Sequence, residues 1–142
     1  MKTAIVFGAT SGIGKEISEL LLKDGYKVAI TGRRLEKLVA LTNQYSNQVY
    51  IAQNDIQKVD ELEKVFNDIL EEFTTIDIII QSSGVGHINP TLAWSMEEET
   101  IHTNVVGVTK LYDLTFNLFR KQGFGHLVGI TSIASIRGNR GA

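Results

Sequence analysis

Ala4-Ile5-Val6-Phe7-Gly8-Ala9-Thr10-Ser11-Gly12-Ile13-Gly14 is an apolar run that breaks into three glycines spaced Gly-x-x-x-Gly-x-Gly. The run Ala4 to Phe7 reads as a buried strand. After it, Ile13, Ile17, Leu20 and Leu21 recur at helical spacing until Gly25 supplies a stop. The glycine turn therefore joins a strand to a helix. Glycines at such a junction let the backbone turn sharply and come close to a pyrophosphate, while the helix amino terminus offers unpaired amides and the positive end of its dipole. A glycine-rich turn alone could be a tight connection, but its setting makes Gly8, Thr10, Ser11, Gly12, Ile13 and Gly14 candidates for dinucleotide binding. The rival nucleoside-triphosphate loop needs a glycine five residues before its Gly-Lys pair and a hydroxyl after it. Gly14-Lys15 has Ala9 before and Glu16 after, so no hydroxyl is placed for magnesium.

The remaining pattern alternates short apolar runs with longer helical ones. Strands are expected at Lys27 to Thr31, Val49 to Ala52, Ile76 to Ile80 and Leu127 to Thr131. A helix with Leu35, Leu38, Val39 and Thr42 on one face lies between the first two of these. The plainest helix runs from about Val59 to Phe73, with Leu62, Val65, Phe66, Ile69 and Phe73 forming one apolar stripe. Ser95-Met96-Glu97-Glu98 matches a capping box. The helical pattern then continues through Ile101, Val105, Val108, Tyr112, Phe116 and Phe119 until Gly123 and Gly125, as one long helix or two in line. Strict alternation of strands and helices implies right-handed crossovers and a Rossmann-like α/β fold: a doubly wound parallel sheet of about five strands in a single domain over residues 1–142.

Composition narrows the function. Hydrophobic residues make up 43% and charged residues 21%, which suits a folded chain with a core. A formal net charge of −2 without a basic stripe gives no electrostatic reason to expect nucleic acid or an anionic membrane as partner. There are no cysteines, and His87, His102 and His126 are too scattered for a zinc pair, so no metal site is expected. The amino terminus has neither the length nor the flanks of a signal peptide, and no segment approaches the ~20 apolar residues of a membrane helix. A cytoplasmic setting is expected.

The glycine spacing, with Thr10-Ser11 inside it, resembles that of the short-chain dehydrogenase/reductase family. Two further motifs agree in order and spacing. Asn54-Asp55-Ile56 resembles the family's acidic position after the third strand, whose carboxylate accepts from the adenine amino group. Gln81-Ser82-Ser83-Gly84 stands where the family usually has Asn-Asn-Ala-Gly. Gly84 keeps the close approach to the adenosine ribose, whereas Gln81 and Ser82 depart from the amides that usually steady the sheet. The resemblance implies cofactor contacts at Asp55, Ile56, Ser83 and Gly84.

The choice of dinucleotide turns on the end of the second strand. A carboxylate there accepts from the ribose hydroxyls and repels phosphate, whereas an arginine offers a two-pronged donor to a 2′-phosphate. Thr31-Gly32-Arg33-Arg34 contains no acid. NADP(H) is therefore the preferred cofactor and NAD(H) the possible alternative, with Arg33 as the principal contact and Arg34 and Lys15 as helpers.

Asn104 interrupts an apolar helical pattern, where an amide competes for backbone bonds. The family places here an asparagine whose local distortion holds a water of the proton relay. Ser132, after Gly129-Ile130-Thr131, matches the serine that bonds the oxygen of a carbonyl or alcohol substrate. The family's next element, Tyr-x-x-x-Lys, comes roughly a dozen residues later and supplies the general acid/base. The ten residues after Ser132 contain neither tyrosine nor lysine. The resemblance thus implies an incomplete chain, cut after the fifth strand and inactive alone, of an NADP(H)-dependent oxidoreductase that in full-length form is a homo-oligomer. A non-catalytic dinucleotide-binding module is the alternative.

Overall fold

The computed structural model describes residues 1–45 and 47–138; Asn139, Arg140, Gly141 and Ala142 of the expected domain lie outside the described residues. Five strands form one parallel sheet: β1 (Thr3–Phe7), β2 (Lys27–Gly32), β3 (Val49–Gln53), β4 (Ile78–Gln81) and β5 (His126–Gly129). Their order across the sheet is β3-β2-β1-β4-β5, all neighbours parallel. The chain winds outward from β1 in one direction and then returns to wind in the other, so the carboxyl ends of β1 and β4 flank a topological switch point.

Side chains alternate across the sheet, which gives each face its own core. Ile5, Phe7, Ala29 and Ile79 pack with Leu62, Phe66 and Ile69 of α3 (Val59–Glu72) and Leu111 of α5 (Val108–Gln122). Phe7 and Phe66 stack at 6.5 Å between centroids. Ala4, Val6, Val28, Ile30 and Ile80 pack on the other face with Leu22 of α1 (Gly12–Lys23) and with Leu38 and Leu41 of α2 (Leu35–Tyr45). A strand buried on both faces has to be apolar at nearly every position, and β1 is.

Several helical expectations shift. In α1 the buried positions are Gly14, Ser18 and Leu22, while Ile13 is 58% exposed and Leu20 is exposed as well. Small residues set that interface because they let the helix lie close to the sheet; Ser18 Oγ returns its bond to the Gly14 carbonyl, 2.7 Å away. In α2, Leu38 and Leu41 are buried, but Leu35 and Val39 face out. The expected capping box does not cap. Helix α4 (Trp94–Ile101) starts before Ser95, and its first turn is held instead by Asn89, whose Oδ1 accepts from the Ala93 amide at 2.9 Å and whose Nδ2 donates to Glu97 at 2.7 Å.

Between α4 and α5 the helix widens into a π turn at His102–Gly107. This turn and α5 bury Thr103, Gly107, Leu111 and Thr115, and leave Val105 and Phe116 55% and 68% exposed. The large residues of the expected stripe thus lie partly on the outer face.

Candidate cofactor cleft

The loops at the carboxyl ends of β1 to β4 gather around a cleft of about 150 Å³. Gly8, Thr10 and Ser11 come from the first loop, Gly32, Arg33 and Arg34 from the second, Asn54, Asp55 and Ile56 from the third, and Ser82, Ser83, Gly84 and Val85 from the fourth. Thr103 of the π turn completes the wall.

The glycines act through space as well as flexibility. Gly8 has φ +92°, and a Cβ there would stand 2.6 Å from the Ser83 amide nitrogen. A Cβ on Gly14 would run into the Gly8 carbonyl and lie 3.1 Å from Ser82 Cβ. The turn after β1 is therefore packed directly against the turn after β4, and α1 directly against the glycine turn. Ser11, at the start of α1, is extended and makes no side-chain cap bond, which leaves the first amides of the helix without a side-chain partner of that kind. Gly12, Ile13 and Gly14 form the first turn behind the cleft and do not line it.

The two arginines differ in placement. Arg34 Nη2 donates to Thr10 Oγ1 at 2.8 Å and to Ser11 Oγ at 2.9 Å, so its guanidinium lies on the hydroxyls of the glycine turn. Arg33 points toward α4, with Nη1 3.7 Å from Glu99 Oε1. Lys15 is absent from the lining; it pairs with Glu19 at 2.9 Å, and that hydrogen bond, aided by the Glu19 charge, holds its ammonium above the ordinary lysine value.

Gln81 and Ser82 explain how the departure from the family's amides is accommodated. Gln81 is buried and donates to the Ser83 carbonyl, and the Ser82 amide extends the ladder to Phe7 at 2.8 Å. The loop beyond is clamped by Asn104, whose Oδ1 accepts from the Val85 amide at 2.9 Å and whose Nδ2 donates to the Val85 carbonyl at 2.6 Å. Asn104 thus stands in the π turn, outside the cleft lining, and fixes the cleft loop at Val85 while lying close to Gly84. It is the position where the sequence flagged an awkward amide, and the helix is indeed distorted there.

Ser132 does not close a strand. Strand β5 ends at Gly129, one ladder bond continues from the Ile130 amide to Gln81 at 2.8 Å, and Ser132 then caps a short 3₁₀ turn, Ile133–Ser135. Its Oγ accepts from the Ala134 amide at 3.1 Å, and the residue is exposed, at the carboxyl end of the sheet but outside the cleft wall. Tyr112 is held elsewhere, its hydroxyl packed against Gly129. Among the described residues there is no group of three or more histidines or acids placed to hold a metal.

The lining fits a polar, anionic ligand. Arg33 and Arg34 supply charge, the close-packed Gly8 supplies backbone access, and Asn54 Nδ2 and Thr103 Oγ1 are buried without a protein hydrogen-bond partner, a condition that asks for an explanation in a folded chain. Sequence reasoning did not single out Asn54, Val85, Thr103 or Glu99. The first three are neighbours of residues it did name, whereas Glu99 meets Arg33 only through the fold.

The strand order, the glycine turn and the crevice at the switch point define a dinucleotide-binding protein of Rossmann type. The chain belongs to the short chain dehydrogenase family, whose pattern matches residues 2–142. It is 32% identical over 133 residues to the NADP-dependent 3-hydroxy acid dehydrogenase YdfG of Shigella flexneri, an alignment that spans 92% of this chain and 54% of that protein. Among solved structures it is similar to serine dehydrogenase from Escherichia coli (TM-score 0.90, 28% identity, 98% of this chain and 65% of that one). It is also similar to a closed form of serine dehydrogenase complexed with NADP+ (TM-score 0.91, 28% identity, 98% of this chain and 57% of that one). The chain thus spans little more than half the length of the curated relative. No described helix is long and apolar enough to cross a membrane.

Proposed function

We propose that residues 1–142 form one dinucleotide-binding domain of an NADP(H)-dependent oxidoreductase acting on a small carbonyl or alcohol. The observation that carries this reading is the charge at the end of β2: Arg33 and Arg34 stand in the cleft wall with no carboxylate between Thr31 and Leu35. A relative named for NADP and a solved neighbour holding NADP+ support the same choice.

When bound, the cofactor supplies or accepts the hydride. The chain's own residues have other work. The first turn of α1 and the glycines receive the pyrophosphate, Arg33 and Arg34 the 2′-phosphate, and Asp55 with Ile56 the adenine. Ser83 and Gly84 border the adenosine ribose. Ser132 would orient the substrate oxygen once it turns from the Ala134 amide, and Asn104 would hold the relay water at the π turn while fixing Val85. Residues 133–142 contain no tyrosine or lysine to act as proton donor. The exposed apolar positions Ile101, Val105 and Phe116 support a homo-oligomer joined along this helix, and the cysteine-free composition supports a cytoplasmic setting, which cell fractionation would check.

Dissociation constants for NADP+ and NAD+ test the reading. The unmodified chain is expected to prefer NADP+. Arg33→Asp should reverse that preference, with NADP+ weakened at least about ten-fold through loss of a charge-assisted contact. Ser132→Ala should leave NADP+ binding within about two-fold, since Ser132 does not line the cleft. A chain that prefers NAD+ would show Arg33 and Arg34 to have been misassigned.

A further inference from the structure

Two neighbouring arginines serve the cleft, yet they stand in opposite electrostatic settings. Arg34 rests on the neutral hydroxyls of Thr10 and Ser11 and makes no ion pair with a carboxylate among the described residues. Arg33 faces Glu99, with Nη1 to Oε1 at 3.7 Å, a distance that gives coulombic attraction without a hydrogen bond. The carboxylate itself is anchored: its other oxygen lies 2.8 Å from His87 Nε2, and the loop carrying His87 is fixed by Asn104 at Val85 and by Asn89 at α4. Glu99 is therefore held in place from the loop side, while the Arg33 side chain is about half exposed and held by no hydrogen bond to Glu99.

We infer that Glu99 is a specificity-determining residue of the cofactor site, a fixed carboxylate that competes with the ribose 2′-phosphate for the guanidinium of Arg33. This inference rests on the phosphate-preferring reading of the cleft. A phosphate that engages Arg33 must draw the guanidinium from Glu99 and then sit within a Debye length of that like charge. NAD(H), with hydroxyls at the same ribose, does neither. Glu99 thus lowers the affinity for NADP(H) and narrows its margin over NAD(H), so the discrimination of this site is set by a residue on α4 and not by the β2 loop alone.

The test is calorimetric titration of the full chain and of Glu99→Gln with NADP+ and with NAD+. Glutamine keeps an amide oxygen for His87 and removes only the charge. At low ionic strength Glu99→Gln should tighten NADP+ by about three- to ten-fold and leave NAD+ within about two-fold, as expected for unit charges a few ångströms apart near a protein surface. At about 0.5 M salt the gain should largely vanish. In an Arg33→Gln background the gain should shrink to what the direct repulsion between Glu99 and the phosphate supplies, because the competition for Arg33 is gone. Unchanged or weaker NADP+ binding by Glu99→Gln, equal tightening of both dinucleotides, or a full gain without Arg33 would each overturn the inference. The cofactor reading is judged separately: if the unmodified chain binds neither dinucleotide, or prefers NAD+, that reading fails on the first titration, and the role of Glu99 falls with it.

Discussion

Gly14 shows how much of this site depends on a missing side chain. It is the first of three buried positions on α1, four residues apart, and its hydrogen faces the carbonyl of Gly8 and the side chain of Ser82. A methyl group cannot be placed there unless α1 lifts from the sheet. Gly14→Ala should therefore destabilise the chain by about 1–3 kcal/mol, as overpacking of a close interface does. Thermal unfolding would report a fall of at least about 3 °C, and NADP+ would bind more weakly because the amides of the first turn move with the helix. An unchanged melting temperature would mean that the interface has slack. The glycines could be read from sequence because strand, turn and helix are consecutive. Glu99 could not, since its partners Arg33 and His87 come from two other loops.

The helices show where periodicity informs and where it misleads. In α3 the large apolar residues are the buried ones, and Leu62, Phe66 and Ile69 were legible from spacing alone. In α1, the π turn and α5 the buried positions include Gly14, Ser18, Gly107 and Thr115, which a search for apolar side chains passes over. The π turn between α4 and α5 adds a second difficulty, because a widened turn shifts the phase of every residue after it. Asn104 was the available signal, and it marked the distorted turn without disclosing its form. One consequence can be measured. With Ile101, Val105 and Phe116 exposed along one stretch, the chain should self-associate through this surface. Light scattering after size exclusion should give an average mass above that of one chain, and Phe116→Glu should return it to the monomer. A monodisperse monomer of the unmodified chain at micromolar concentration would contradict this.

The strand order is what converts scattered motifs into one site. Alternating strands and helices predicted a doubly wound parallel sheet, and the order β3-β2-β1-β4-β5 brings the ends of β1 to β4 to a common crevice. Residues as distant in sequence as Gly8, Arg34, Asp55 and Gly84 line that crevice as a result. Ser132 lies on a turn beyond the strand, because β5 ends earlier than its apolar run. Whether a dinucleotide occupies this crevice can be read from amide chemical shifts in an NADP+ titration. Saturable changes are expected at Gly8, Thr10 to Gly14, Gly32 to Arg34, Asp55, Ile56, Ser83 and Gly84, with little change on the outer faces of α2 and α3. Shifts confined to another surface, or none at saturating NADP+, would contradict that occupancy.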